Sequence, residues 1–182
     1  MSCADLEGND LELWDIYNRD RIKTGDIMVR GDPFPEGAYH LVIHVCIFNS
    51  NGEMLIQQRQ PFKEGWSNLW DITVGGSATA GDSSQSAAER ELLEELGYVI
   101  DLSEARPHLT VNYEYGFDDY YLIEAEVDID SLQLQHEEVQ RVKWATKDEI
   151  FQMLDSGEFI PYYEDLIGLL FETRRKLGAH SR

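Results

Sequence analysis

A chain of 182 residues with 42% hydrophobic and 27% charged positions can bury one sizeable core, and this balance excludes the disordered and fibrous classes. A formal charge of −20, with no concentrated basic patch, argues against a nucleic-acid polymer or an anionic membrane surface as partner. A phosphate-bearing substrate would have to be met by a few local cations, either bound metal or single arginines.

The opening MSCADLEGND has neither the basic nor the apolar region of a signal peptide, and no apolar stretch approaches the ~20 residues that cross a bilayer. Cys3 and Cys46 stand far apart, so neither a disulfide framework nor a zinc cluster is expected. A reducing, cytoplasmic setting fits this pattern. Residues 13–31 predict two short strands around a polar turn from Arg19 to Gly25, and the Pro/Gly cluster from Asp32 to Gly37 separates an N-terminal extension, 1–36, from a main domain, 37–182.

In that domain HLVIHVCIFN, the Asn51-Gly52 pair and EMLIQQR predict a hairpin with a tight turn. DITVGG predicts a strand ending at paired glycines, after which the apolar spacing becomes helical from about Ser83 to Leu96. HLTVNYEY and YYLIEAEV are expected to be strands joined by a turn at Gly116 to Asp119, with EVQRVKWA as one further strand. Thr146 and Glu149 form a capping box for a helix near 147–155, and Pro161 is expected to open a last helix running to about Lys176. Strands interleaved with a few helices predict an α/β sandwich on a mixed sheet.

The chemistry concentrates on the first helix. Glu91, Glu94 and Glu95 are spaced i, i+3, i+4 and share one face, while Ala88, Leu92 and Leu96 form a separate apolar stripe for burial. Like charges one turn apart destabilise a helix, so three together call for a compensating cation, and hard divalent ions prefer oxygen ligands. Arg90 is placed to orient these carboxylates through charge-assisted hydrogen bonds. Taken alone, an ERELLEEL octet is more often a solvated surface, but here a strand, the Gly75-Gly76 turn and a capped helix start precede it.

From Gly76 through Asp82 to Arg90-Glu91-Leu92-Leu93-Glu94-Glu95-Leu96-Gly97-Tyr98, the chain closely resembles the Nudix box, G-x5-E-x7-R-E-U-x-E-E-x-G-U, over residues 76–98. It departs at Asp82, where the pattern has glutamate, and at Tyr98, which is bulky but not aliphatic. Asp82, with Gln85 three residues on, reads as an N-cap with a reciprocal partner. The resemblance implies a Nudix-type α/β/α sandwich, to which the hairpin predicted over residues 13–31 adds an N-terminal extension. It also implies that the Gly76 carbonyl, Glu91, Glu94 and Glu95 hold magnesium, or manganese in its place. Metal-dependent hydrolysis of a nucleoside diphosphate linked to a group X, or a similar small molecule, would follow.

Outside the box, Glu138 is preferred over Glu137 as a further acid or base, and Arg59 could meet a substrate phosphate. His40 and His44, on an apolar strand, read as structural imidazoles. Tyr39, Phe62, Trp66 and Trp70 could stack on a base but read more readily as core. The N-terminal hairpin could cover the site or make a homodimer contact.

Residues 40–144 also resemble type I isopentenyl-diphosphate isomerases, through HLVIHVCIFNSNGEMLI, the loop ending NLWD, and HEEVQRVKW. Those enzymes need a cysteine before the box glycine and a histidine after it; Gly75 and Ser77 stand there, which favours hydrolysis over proton transfer at carbon. A third reading is a non-catalytic nucleotide or sugar-phosphate sensor, which Asp82 and Val74 keep open and the complete carboxylate set disfavours.

Overall fold

The computed structural model describes residues 11–180, so Cys3 lies outside them. The chain builds an α/β/α sandwich on a seven-stranded mixed sheet, preceded by a separate two-stranded hairpin, as the sequence pattern predicts. The hairpin is β1 (Leu13–Tyr17) and β2 (Lys23–Val29). Its turn is shorter than expected, because the Asn18 side chain accepts both Asp20 N–H and Ile22 N–H at 3.0 Å and lets β2 start at Lys23.

The organising strand is β3 (His40–Phe48), whose period-2 alternation serves both faces of the sheet. Leu41, Ile43, Val45 and Ile47 pack under α1 (Ser84–Leu96), beside Ala88, Leu92 and Leu96. Cys46 and Phe48 point the other way, into the core made with α2 (Lys147–Ser156) and α3 (Glu164–Thr173). No helix among the described residues is long and apolar enough to cross a membrane. Leu92 is fully buried, so Leu92→Ala is expected to cost about 2–5 kcal/mol, read as a lower urea midpoint at unchanged slope.

One edge of β3 pairs in parallel with β8 (Gly116–Glu124) over nine residues. The other edge changes partner along its length: Val42 to Val45 face β6 (Val74–Ser77), and Phe48 faces β4 (Met54–Arg59). DITVGG is thus two strands, β5 (Trp70–Asp71) against β4 and β6 against β3. Between them the buried Thr73 hydroxyl accepts Ile47 N–H at 2.9 Å and donates to the Leu55 carbonyl, satisfying backbone that a forking sheet would orphan. The rest of the sheet is β7 (Leu109–Tyr113) beside β8 and β9 (Val139–Ala145) beside β4.

Three local expectations are corrected. The β7–β8 turn is Glu114-Tyr115, and Gly116 already lies in β8; a Cβ there would collide with the His40 carbonyl, so this glycine serves close strand approach. The N-cap of α1 is Ser83, in a capping box with Ser86, since the Asp82 carboxylate is drawn instead to Thr79 and Arg90. The last helix starts three residues beyond Pro161, because Ile160 N–H bonds the Trp70 carbonyl at 2.8 Å and holds that stretch extended along β5.

The hairpin is fastened to the domain at several points. Tyr17 and Tyr39 exchange backbone hydrogen bonds of 2.8 and 2.9 Å. Trp14 stacks on the buried His40 with ring centroids 4.3 Å apart. Arg21 ion-pairs with the fully buried Asp119, which also accepts from Ser84 and Thr110.

Candidate active site

A cavity of about 430 Å³ opens where the sheet forks. Helix α1 supplies Glu91, Glu94 and Glu95 to its wall, and β6 supplies Gly75, Gly76 and Ser77. Arg59, at the end of β4, and Glu138, just before β9, complete the set expected from the sequence; Glu137 is exposed and outside the cavity. Arg90 stands beside them, lining an adjoining groove of about 480 Å³ that shares Glu91 and Glu94 with the cavity.

Glu95 is 5% exposed, and its carboxylate accepts Gln57 Nε2 at 2.8 Å. Burial drives its pKa well above the ordinary carboxylate range, and the charge of Glu91 pushes it further the same way. Burial also raises Glu91, against the pull of Arg90. The Arg90 guanidinium spans four acceptors: Glu91 at 2.9 Å, Glu94 at 3.1 Å, Asp82 at 3.2 Å and the Ser77 carbonyl at 3.0 Å. Burial works against its charge, but Glu91, Asp82 and Glu94 outweigh that and raise its pKa.

Among the described residues no three acidic, histidine or cysteine side chains close on a common metal position. Arg90 holds Glu91 and Glu94, while Gln57 holds Glu95. The donor set nonetheless suits a hard divalent cation. It is all oxygen, it includes a buried carboxylate with one hydrogen bond, and the buried Gln57 Oε1 beside that carboxylate has no partner. At Gly76 a Cβ would collide with the Glu91 carboxylate, so only a glycine lets β6 come this close to the acidic face.

Among the described residues Arg59 makes no ion pair; its Nε donates to the Gly65 carbonyl at 3.0 Å, and the side chain lines the cavity. Glu138 pairs with Lys63 at 2.5 Å. Of the two histidines, His40 is buried away from the cavity, and burial lowers its pKa to about 4. His44 lines the cavity, stacked on Tyr120 at 4.5 Å. Trp70 is core, whereas Phe62 and Trp66 are 59% and 54% exposed.

Several lining residues had no signal in the sequence. Glu12 and Arg30, paired at 2.7 Å, come from the N-terminal hairpin, so the hairpin covers one side of the cavity. The buried Asp71 accepts the Tyr162 hydroxyl at 2.9 Å from a segment 91 residues away in sequence, an approach that local pattern does not encode. Gln57 did carry a signal: a glutamine inside an apolar strand needs a buried partner.

An acidic helix packed over a glycine-bearing strand, on a forked mixed sheet between helical layers, defines a Nudix fold. Residues 38–163 match the NUDIX domain family model, and the chain belongs to the Nudix hydrolase family. It is 47% identical over 170 residues to an uncharacterised Nudix hydrolase of Listeria monocytogenes, covering 93% of this chain and 99% of that one. An isopentenyl-diphosphate Delta-isomerase of Pectobacterium atrosepticum is 30% identical over 151 residues, 78% of this chain and 82% of that one. A crystal structure of a Deinococcus radiodurans protein shares the fold with a TM-score of 0.68 at 23% identity, covering 87% of this chain and 97% of the other.

Proposed function

We propose that the chain hydrolyses a diphosphate linkage in a nucleoside diphosphate linked to X, with magnesium, or manganese in its place, held by Glu91, Glu94, Glu95 and the Gly76 carbonyl. The observation that carries this reading is the placement of all three carboxylates in one cavity with Arg59, which has no ion pair among the described residues and so can meet a polyanion in a chain of charge −20; Arg30 and Lys63 line the same cavity, paired with Glu12 and Glu138. When bound, the cation would polarise phosphoryl oxygens and lower the pKa of a bound water.

The protein's own groups do the rest. Arg59 meets a phosphate oxygen, Arg90 fixes Glu91 and Glu94 in place, and Glu138 or a box glutamate takes the proton as water oxygen bonds to phosphorus and the bridging P–O bond breaks. The isomerase reading lacks its thiol: Gly75 stands at that position, and the cysteine among the described residues, Cys46, is fully buried in the core under α2 and α3, where burial pushes its pKa up. The same reading sets the enzyme in the reducing cytoplasm, acting on a small molecule rather than a polymer or a membrane.

The test is incubation with nucleoside-diphosphate sugars, dinucleotides and isopentenyl diphosphate, with and without magnesium, followed by product analysis. Metal-dependent release of nucleoside monophosphate is expected; isomerisation of isopentenyl diphosphate, or no turnover of any compound, overturns the proposal. Gly76→Ala should displace the Glu91 carboxylate and weaken magnesium activation about tenfold while the chain stays folded, read as a shifted magnesium dependence of the rate.

A further inference from the structure

The loop between β4 and β5 carries two non-glycine residues in the left-handed region, Trp66 at φ 52° and Asn68 at φ 62°. Asparagine tolerates that conformation, but for a bulky residue it is an outlier held only when the surroundings impose it, and such outliers gather at ligand sites. The surroundings here are specific. The Gly65 carbonyl is held by Arg59 Nε at 3.0 Å, the Pro61 carbonyl by the Ser67 hydroxyl at 2.5 Å, and the Asn68 carbonyl by Gln58 Nε2 at 2.8 Å.

The result of this bracing is an indole that is 54% exposed and lines the cavity. Burying an indole is favourable, so the loop forgoes a core contact to keep a flat apolar face at the cavity wall. The same loop brings Lys63, paired with Glu138, to the cavity, and Arg59 precedes it directly, so an aromatic face and two cationic side chains sit on one short segment.

We infer that Trp66 is the stacking platform for a planar aromatic ring on the substrate, a nucleobase, and so a residue that sets specificity. This rests on the diphosphate-hydrolase reading for the phosphates but assigns the organic end. An aliphatic diphosphate has no face to offer the indole; a nucleotide has one, with its phosphates a few bonds away, and Arg59 and Lys63 line the same cavity.

The experiment has a binding arm and a turnover arm. In the binding arm, ADP is titrated without metal by isothermal titration calorimetry, which reads the wild type and the variants alike, and circular dichroism checks that Trp66→Leu, at an exposed site, keeps the fold. Saturable binding is expected in the wild type, with affinity lowered about tenfold in Trp66→Leu and largely kept in Trp66→Phe, given the usual strength of base–aromatic stacking. In the turnover arm, the loss in Trp66→Leu falls on KM for a nucleoside-diphosphate sugar rather than on kcat.

Equal ADP affinity in wild type and Trp66→Leu, or the same loss in Trp66→Leu with inorganic pyrophosphate as with ADP, overturns the inference. Binding through Trp66 without metal-dependent turnover would sink the hydrolase reading and leave this one standing.

Discussion

Glu95→Gln is expected to lower metal-dependent turnover on the order of 10²-fold or more while the unfolding midpoint at neutral pH holds or rises. Loss of a group that merely supports a metal ligand commonly costs 10- to 100-fold, and Glu95 is proposed as a ligand itself. The stability side follows from burial. The Glu95 carboxylate is buried and faces the like charges of Glu91, Glu138 and Asp71, and among the described residues only the Gln57 amide donates to it, so its folded pKa lies above its ordinary 4.5. A raised acid contributes stability that is fully present below the unfolded value and is lost as pH rises through the folded one. The metal-free protein should therefore lose stability above pH 4.5 through this group, and Glu95→Gln should flatten that part of the profile. Magnesium should restabilise the wild type and have little effect on the variant. Wild-type turnover in the variant would remove Glu95 from the chemistry.

Arg90→Ala should be the other large effect, reducing activity about 10- to 100-fold and stability by about 1–3 kcal/mol. One guanidinium joins Asp82 and Ser77 to Glu91 and Glu94. Removing it leaves Glu91, 13% exposed, next to Glu94 with no counter-charge. The partial exposure of Arg90 itself keeps the loss near the lower end of that range. Arg90→Lys should restore little, because a single ammonium cannot reproduce the fork. Thermal unfolding and steady-state rates on the same preparations decide it: an alanine variant within twofold in rate and unchanged in midpoint would show that the guanidinium holds nothing in place.

What could be read from the sequence followed from periodicity. The i, i+3, i+4 spacing placed the acidic face of α1, because one residue's neighbours on a helix are set by geometry alone, and the β-branched apolar runs on either side of Asn51-Gly52 placed β3 and β4. Turn and cap positions were read less well where two suitable residues adjoin. Asp82 and Ser83 both suit an N-cap, and a guanidinium eight positions away decided between them. Gly116 looked like a turn residue and proved to be a strand residue needed for close approach to His40. Glu12, Arg30 and the Asp71–Tyr162 contact reach the cavity only through tertiary placement, which no window of sequence contains.

The parallel pairing of β3 with β8 also bears on how the protein reaches its native state. His40 meets Gly116, so the central ladder closes around a segment that contains β4, β5, β6 and the whole of α1. Closing such a long loop costs entropy before any of its contacts form, which makes this a slow step in folding. During synthesis the acidic helix is made before β8, the strand that completes the sheet beneath it. Its three carboxylates then hang on an unfinished scaffold, and the cavity can acquire its shape only once the second half of the chain has been made.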